Sequence, residues 1–351
     1  MNHSKFRKTL LRRLLIASGI SVTAMGCSTQ RECFAFDQAL TCPPKEEAAQ
    51  HINLEDCEDR VESVEDGPER EGDQCCYEVV IESTDACAVP GRPFVVAGEI
   101  RTANASDNPD WRVEMPPPLL TQSERDALAD HWTEAALAEH ASIASFARFA
   151  LELMSFGAPP DLLRGAHRAA ADEVRHAQAA FALASRYRGR AVGPTELALP
   201  TTLSLHTTLT AFAVATFREG CINETLALFV AYEQAAHATD AAVRKTLDTI
   251  VTDEARHAEL AWRTVRWAID HGGAPVMRAI ASEIDRLTSR GPSSISEQPR
   301  LGGSVSEHGL IDDDSRGQAL DRAYDEVVLP SARALLQAVS PTTSQLTQLS
   351  P

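Results

Sequence analysis

Two hexapeptides, Asp172-Glu173-Val174-Arg175-His176-Ala177 and Asp253-Glu254-Ala255-Arg256-His257-Ala258, agree at five of six positions. Each contains Glu-x-x-His. At about 100° per residue, positions i and i+3 share one face of a helix, so the carboxylate and the imidazole can bind one ion. Upstream glutamates supply the missing donors: Glu139 precedes Glu173 and Glu219 precedes Glu254 at almost the same spacing. Glu139 falls on the heptad of Trp132, Phe146 and Leu153, and Glu219 on that of Leu205, Phe212 and Leu226. A carboxylate on an apolar stripe is expensive unless a cation compensates it. Four carboxylates with two divalent cations make a neutral buried site, completed by the two imidazoles. Glu224, on a partly apolar face nearer to Glu254 in the chain, is the alternative to Glu219, as its replacement or as a switchable ligand. The mirrored spacing favours Glu219. Asp172 and Asp253 either accept a hydrogen bond from an imidazole N–H that faces away from metal or pair at the surface with Arg175 and Arg256.

Long helices must position these residues. Thr121 with Glu124 forms a capping box that opens a first helix, running to about Ser155 and closed by Gly157-Ala158-Pro159-Pro160. A second helix spans about Asp161 to Arg188 and stops at Gly189; a third spans about Thr201 to His237. Asp240 caps a fourth that ends at Gly272-Gly273, and Pro275 opens a fifth, shorter helix to about Thr288. Helices of roughly 30 residues reach about 45 Å. Short turns make the first and second, and the third and fourth, antiparallel hairpins. The longer stretch 189–200 can cross the bundle. Residues 290–315 read as loop, and 316–338 as a final helix kinked or ended at Pro330.

The four-helix pattern, two Glu-x-x-His motifs and two core glutamates resemble the ferritin-like superfamily of di-iron carboxylate proteins. The Asp-Glu-x-Arg-His repeats look like those of bacterial multicomponent monooxygenase hydroxylase subunits; the spacing is also similar to rubrerythrin-type and quinone-hydroxylase-type bundles. The resemblance covers about 125–272. It implies a mainly α, ferritin-like bundle with one long crossover, and the ligands Glu139, Glu173, His176, Glu219, Glu254 and His257 around two Fe (or Mn/Fe) ions. It further implies an O2-using oxidoreductase, of oxidase, hydroxylase or N-oxygenase type, with a small-molecule substrate or an electron donor. The alternatives are a non-catalytic or ferroxidase-like iron-binding protein, and a bundle whose metals only hold helices together. A closed storage cage is not expected. Thr216, Gly220 and Asn223 around Glu219 would leave room for O2. Tyr187, about 16 Å along the helix from His176, and Tyr232 are badly placed for a radical beside the metals. His140, His167, His206 and His237 read as packing or surface residues, and Cys221 as a buried thiol.

Residues 1–26 read as a secretory signal: Lys5, Arg7, Lys8, Arg12 and Arg13 precede an apolar run from Leu14 to Met25. Arg12-Arg13 before two leucines resembles a twin-arginine signal. Ala24-Met25-Gly26-Cys27 resembles a lipoprotein cleavage site, which implies lipidation at Cys27 and a membrane-anchored place in the bacterial cell envelope. Residues 27–110 form a Cys-rich module. Cys33, Cys42, Cys57, Cys75, Cys76 and Cys87 read as three disulfides, with 15 possible pairings. Glu46 to Asp73 is acidic and reads as a solvated loop, whereas Tyr77–Ile81 and Phe94–Val96 look like strands. A Pro-rich hinge, 111–120, leads to the helical domain, 121–290, followed by 291–351. The 351 residues are 44% hydrophobic and 5% aromatic, which favours helices over a β-sandwich. A net charge of −17 repels phosphate backbones, so nucleic acid is not an expected partner.

Overall fold

The computed structural model describes residues 30–35, 42–44, 59–71, 74–83, 91–96, 98–288 and 303–339. The expected export signal, Cys27, Cys57 and Cys87 lie outside the described residues. The chain forms two units, 25–89 with 95–100, and a helical unit built from 90–94 and the residues from 101 onward.

The first unit contains an antiparallel sheet of β1 (Gln30–Ala35), β2 (Asp59–Glu71) and β3 (Gln74–Ser83), ordered β1-β3-β2. The acidic stretch expected to be a loop therefore supplies an edge strand. Register shifts at Val61/Ser63, Val64/Asp66 and Asp66/Glu69 accommodate it. Cys75, Cys76 and Tyr77 are buried; Cys42 is bonded to Cys75, and Cys76 is also disulfide-bonded. The Tyr77 hydroxyl donates to the carbonyl of Pro43 at 2.6 Å. Val95–Val96 (β4) pairs with Glu99–Ile100 (β5).

The helical unit begins earlier than the sequence suggests. Ala105–Ser106 (β6) pairs with Gly193–Pro194 (β7), and Trp111 packs edge-on against Phe181. The expected hinge 111–120 is laid on the helices, with the Pro116 carbonyl accepting from Arg186 Nε at 2.8 Å.

Two hairpins of long helices follow. Helix α1 (Gln122–Ser155) has the expected capping box, with Thr121 N–H donating to Glu124 Oε2 at 2.7 Å. A short turn leads to α2 (Pro160–Arg188), which ends at Gly189 with φ of 73°, a conformation glycine adopts without steric cost. The second hairpin starts at α3 (Leu209–Ala215), not at Thr201, because Thr208 takes the N-cap and accepts from Ala211 N–H. The helix then widens into a π-helical segment, Thr216–Asn223, before α4 (Glu224–His237). Asp240 caps α5 (Ala241–Gly272) through Ala242 and Val243 N–H. Helices α6 (Ala274–Thr288), α7 (Gly303–Ser306), α8 (Asp313–Ala323) and α9 (Leu329–Val339) complete the unit. Pro330 does not end the last helix; a second π segment, Tyr324–Val328, precedes it.

The core is built from Ala136, Phe181, Leu226, Phe229, Trp262 and Val265 on one side and from Phe146, Phe149, Leu162, Phe212 and Leu260 on the other. The helical bundle thus buries apolar surface from both hairpins, with α1 on α2, α4 on α5, and α2 on α5. No helix among the described residues is long and apolar enough to cross a membrane.

Candidate metal centre

The polar residues of the bundle interior meet where α1, α2, α4 and α5 face one another. Two groups of donor atoms form, each with its atoms within 4.8 Å of one another: Glu139, Glu173, His176 and Glu254, and Glu224, Glu254 and His257. His176 Nδ1 lies 3.5 Å from Glu139 Oε2, 3.6 Å from Glu173 Oε2 and 3.5 Å from Glu254 Oε1. His257 Nδ1 lies 3.0 Å from Glu173 Oε1 and 3.5 Å from Glu254 Oε2. The imidazole centroids are 6.0 Å apart.

Of the six expected ligands, five are brought together and one is not. Glu219 is turned away, its carboxylate 3.1 Å from Arg148 Nη2 and 3.5 Å from Arg92 Nε. Glu224 takes the place. The reason is positional: Glu224 and Glu254 stand equally far from the turn that joins their helices, counted from His237 and from Ala241. Glu219 lies on the π-helical segment, where the wider turn breaks the 3.6-residue rotation that the heptad assumed. Gly220 does not open space beside it either. A Cβ there would meet the Ala261 Cβ at 2.5 Å and Arg92 Nη1 at 3.2 Å, so the glycine serves close helix packing.

Asp172 and Asp253 reach both kinds of partner at once, and they do so crosswise. His176 Nε2 is 3.1 Å from Asp253 Oδ2, and His257 Nε2 is 3.3 Å from Asp172 Oδ2. Each imidazole is thus oriented by the aspartate of the other hairpin, which holds Nε2–H and leaves Nδ1 facing the glutamates. Arg175 donates to Asp172 and, at 3.0 Å, to Asp253; Arg256 donates to Asp253 and, at 2.9 Å, to Asp172. The double use of both arginines was not anticipated, although Asp and Arg recur in the hexapeptides as faithfully as Glu and His.

The electrostatics divide the carboxyl groups into two kinds. Burial, and then the charge of Glu173, pushes Glu139 up to about 8. Burial and the charge of Glu254 push Glu224 well up. Burial acts the same way on Glu173 and Glu254, but hydrogen bonds and charge from His176 and His257 outweigh it and hold both low. Burial disfavours both imidazolium ions; the surrounding carboxylates outweigh this and raise both histidines well above their ordinary value.

Glu173 Oε2, His176 Nδ1, Glu224 Oε1, Glu254 Oε2 and His257 Nδ1 are buried without a well-formed hydrogen bond among the described residues. Buried polar atoms are normally satisfied. These five point at one another's space, and hard oxygen donors with imidazole nitrogen suit divalent iron or manganese. The residues present therefore fit a pair of cations, with Glu254 common to both positions. Only Glu139 among the donors has a side chain one-fifth exposed, so solvent reaches the centre on the α1 side.

The remaining singled-out residues lie elsewhere. His140 packs against Trp111, His167 and His237 are exposed, and His206 pairs with Glu152 at 2.7 Å. The Tyr187 hydroxyl meets His308 Nδ1 at 2.7 Å, and Cys221 is a buried free thiol. Comparison with family models, with curated proteins and with solved structures finds no match to this chain.

Proposed function

We propose that this chain is a ferritin-like di-metal carboxylate protein, exported and anchored in the bacterial envelope through Cys27, and that it acts as an O2-using oxidoreductase on a small molecule. Glu139, Glu173, His176, Glu224, Glu254 and His257 would hold two iron, or manganese and iron, ions. The observation that carries the reading is the convergence of buried carboxylate and imidazole donor atoms from both hairpins into two groups, each within 4.8 Å. When bound, such ions supply O2 binding and electron exchange. The chain's own residues do the rest. Asp172 and Asp253 fix the imidazole orientation, Arg175 and Arg256 neutralise those aspartates, and Phe146, 5.1 Å from the His257 ring, excludes water. Before any ion binds, Glu139 holds the proton nearest to solvent, and loading would release it.

A second reading, a non-catalytic iron-binding protein, draws on one observation: the volume beside Gly220 is filled by Ala261 and Arg92. Metal analysis of the full-length chain tests the common premise. About two Fe per chain are expected, falling to background in a Glu173→Ala, Glu254→Ala double variant. Equal metal content in both proteins rules out the centre. O2 uptake by the ferrous-loaded chain then separates the readings: rapid consumption supports an oxidoreductase, and inertness supports a binding protein.

A further inference from the structure

The segment Gly91–Phe94 lies outside both hairpins, yet it is buried among them. Arg92 is 3% exposed and Phe94 1%. The Arg92 guanidinium lies over the rings of Phe146, at 5.0 Å, and Phe149, at 4.3 Å, both on α1. The Arg92 carbonyl accepts from Ser142 Oγ at 2.9 Å, about one turn beyond Glu139 on the same helix. On its other side the segment grips the π-helical stretch. Gly91 N–H donates to the carbonyl of Asn223 at 3.2 Å, Arg92 Nε lies 3.5 Å from Glu219, and Arg92 Nη1 approaches Gly220. Asn223 is the residue immediately before Glu224.

These contacts join the two helices that each give one glutamate to the centre, α1 and α4, through a piece of chain belonging to neither. A π-helical turn is a poorer hydrogen-bonded structure than an α-helix and persists where something else holds it. Arg218 Nε, bonded to Glu283 Oε2 of α6 at 2.6 Å, holds it from one direction, and the Gly91–Phe94 segment from another. Cation–π contacts gain strength when desolvated, and the carboxylate of Glu219 adds a charge pair.

We propose that Arg92 is a positioning residue that fixes the π-helical segment in register and thereby seats Glu224 in the second metal position. Through Phe146, which touches both Arg92 and His257, it also steadies the second imidazole of that position. The first position, Glu139, Glu173, His176 and Glu254, depends on it much less. This inference rests on the di-metal reading. It predicts an asymmetry that general loss of stability would not produce.

The experiment uses the full-length chain with Co(II) as the probe, because its visible absorption reports each site as it fills. Wild type should bind two equivalents. Arg92→Met, which keeps length and loses charge, should bind the first equivalent as wild type does and the second about 10–100-fold more weakly, the usual effect of disturbing an outer partner of a ligand. Arg92→Lys should recover part of the second affinity. Hydrogen exchange without metal gives an independent readout: peptides covering 212–226 should exchange at least about tenfold faster in Arg92→Met, with 160–188 unchanged. Two wild-type Co(II) affinities in Arg92→Met, or equal weakening of both, overturn the proposal. So does unchanged exchange over 212–226. Failure of the wild-type chain to bind Co(II) counts against the metal centre instead, and the exchange result still decides the role of Arg92.

Discussion

Proton content ties the proposed metal centre to pH. Glu139, raised to about 8, and Glu224, raised well above its ordinary value, hold protons at neutral pH, and so do His176 and His257 on the atoms facing the glutamates. Glu173 and Glu254 stay ionised. Two carboxylates then face two imidazoliums, and the interior is neutral. Divalent cations must displace these protons, so loading two ions should release up to about four. Protons leave on binding, hence affinity climbs as pH rises, and the share due to Glu139 is exhausted above its value of about 8. Calorimetry in buffers of differing ionisation enthalpy, between about pH 6 and about pH 9, would count them. A release near zero with flat affinity contradicts this picture. The crossed aspartates give a second expectation. Asp253→Ala frees His176, the imidazole of the opposite hairpin, and should weaken metal binding about 10–100-fold. The His176 resonance, not that of His257, should shift most in an imidazole NMR spectrum.

At the scale of helices, Gly220 is a point of close approach. A methyl group placed there lies 2.5 Å from the Ala261 Cβ, a short side chain that has no rotamer to retreat into. Gly220→Ala should therefore destabilise the helical unit by about 1–3 kcal/mol despite removing a helix-weakening residue, as read from urea midpoints. Thr121→Ala, which loses the capping box of α1, should cost about 1 kcal/mol. The ends of α1, α2 and α5 were legible because Thr121, Gly189 and Asp240 carry local signals that the structure uses as written. Five donors were legible because they sit on uninterrupted α-helix, where rotation per residue is constant. Glu224 is less legible because the π-helical Thr216–Asn223 changes that rotation and nothing in its composition announces it. Its signal in the sequence is its distance from the turn at His237 and Ala241, which equals that of Glu254. The edge strand Asp59–Glu71 is hidden for another reason: its acidic composition speaks for solvation and masks its pairing with the very next strand, Gln74–Ser83. Arg92 gave no signal at all, since its partners on α1 and on the π-helical segment lie far along the chain.

For the molecule as a whole, the division into a cysteine-stapled unit and a helical unit can be tested directly. The Cys42–Cys75 bond has a sequence separation of 33, and in the chain-entropy view closing such a loop stabilises its unit by about 4 kcal/mol. A phosphine reductant should abolish the melting transition of that unit while leaving the helical circular dichroism and the metal content intact. Simultaneous loss of both signals would show that the two units unfold as one. The crossing of the aspartates has a different import for the molecule. His176 answers to Asp253, His257 answers to Asp172, and each arginine of the pair spans both. Neither hairpin, expressed by itself, carries the full set of groups that steer its own imidazole. A substitution in one hexapeptide is therefore felt across the bundle, at the imidazole of the other.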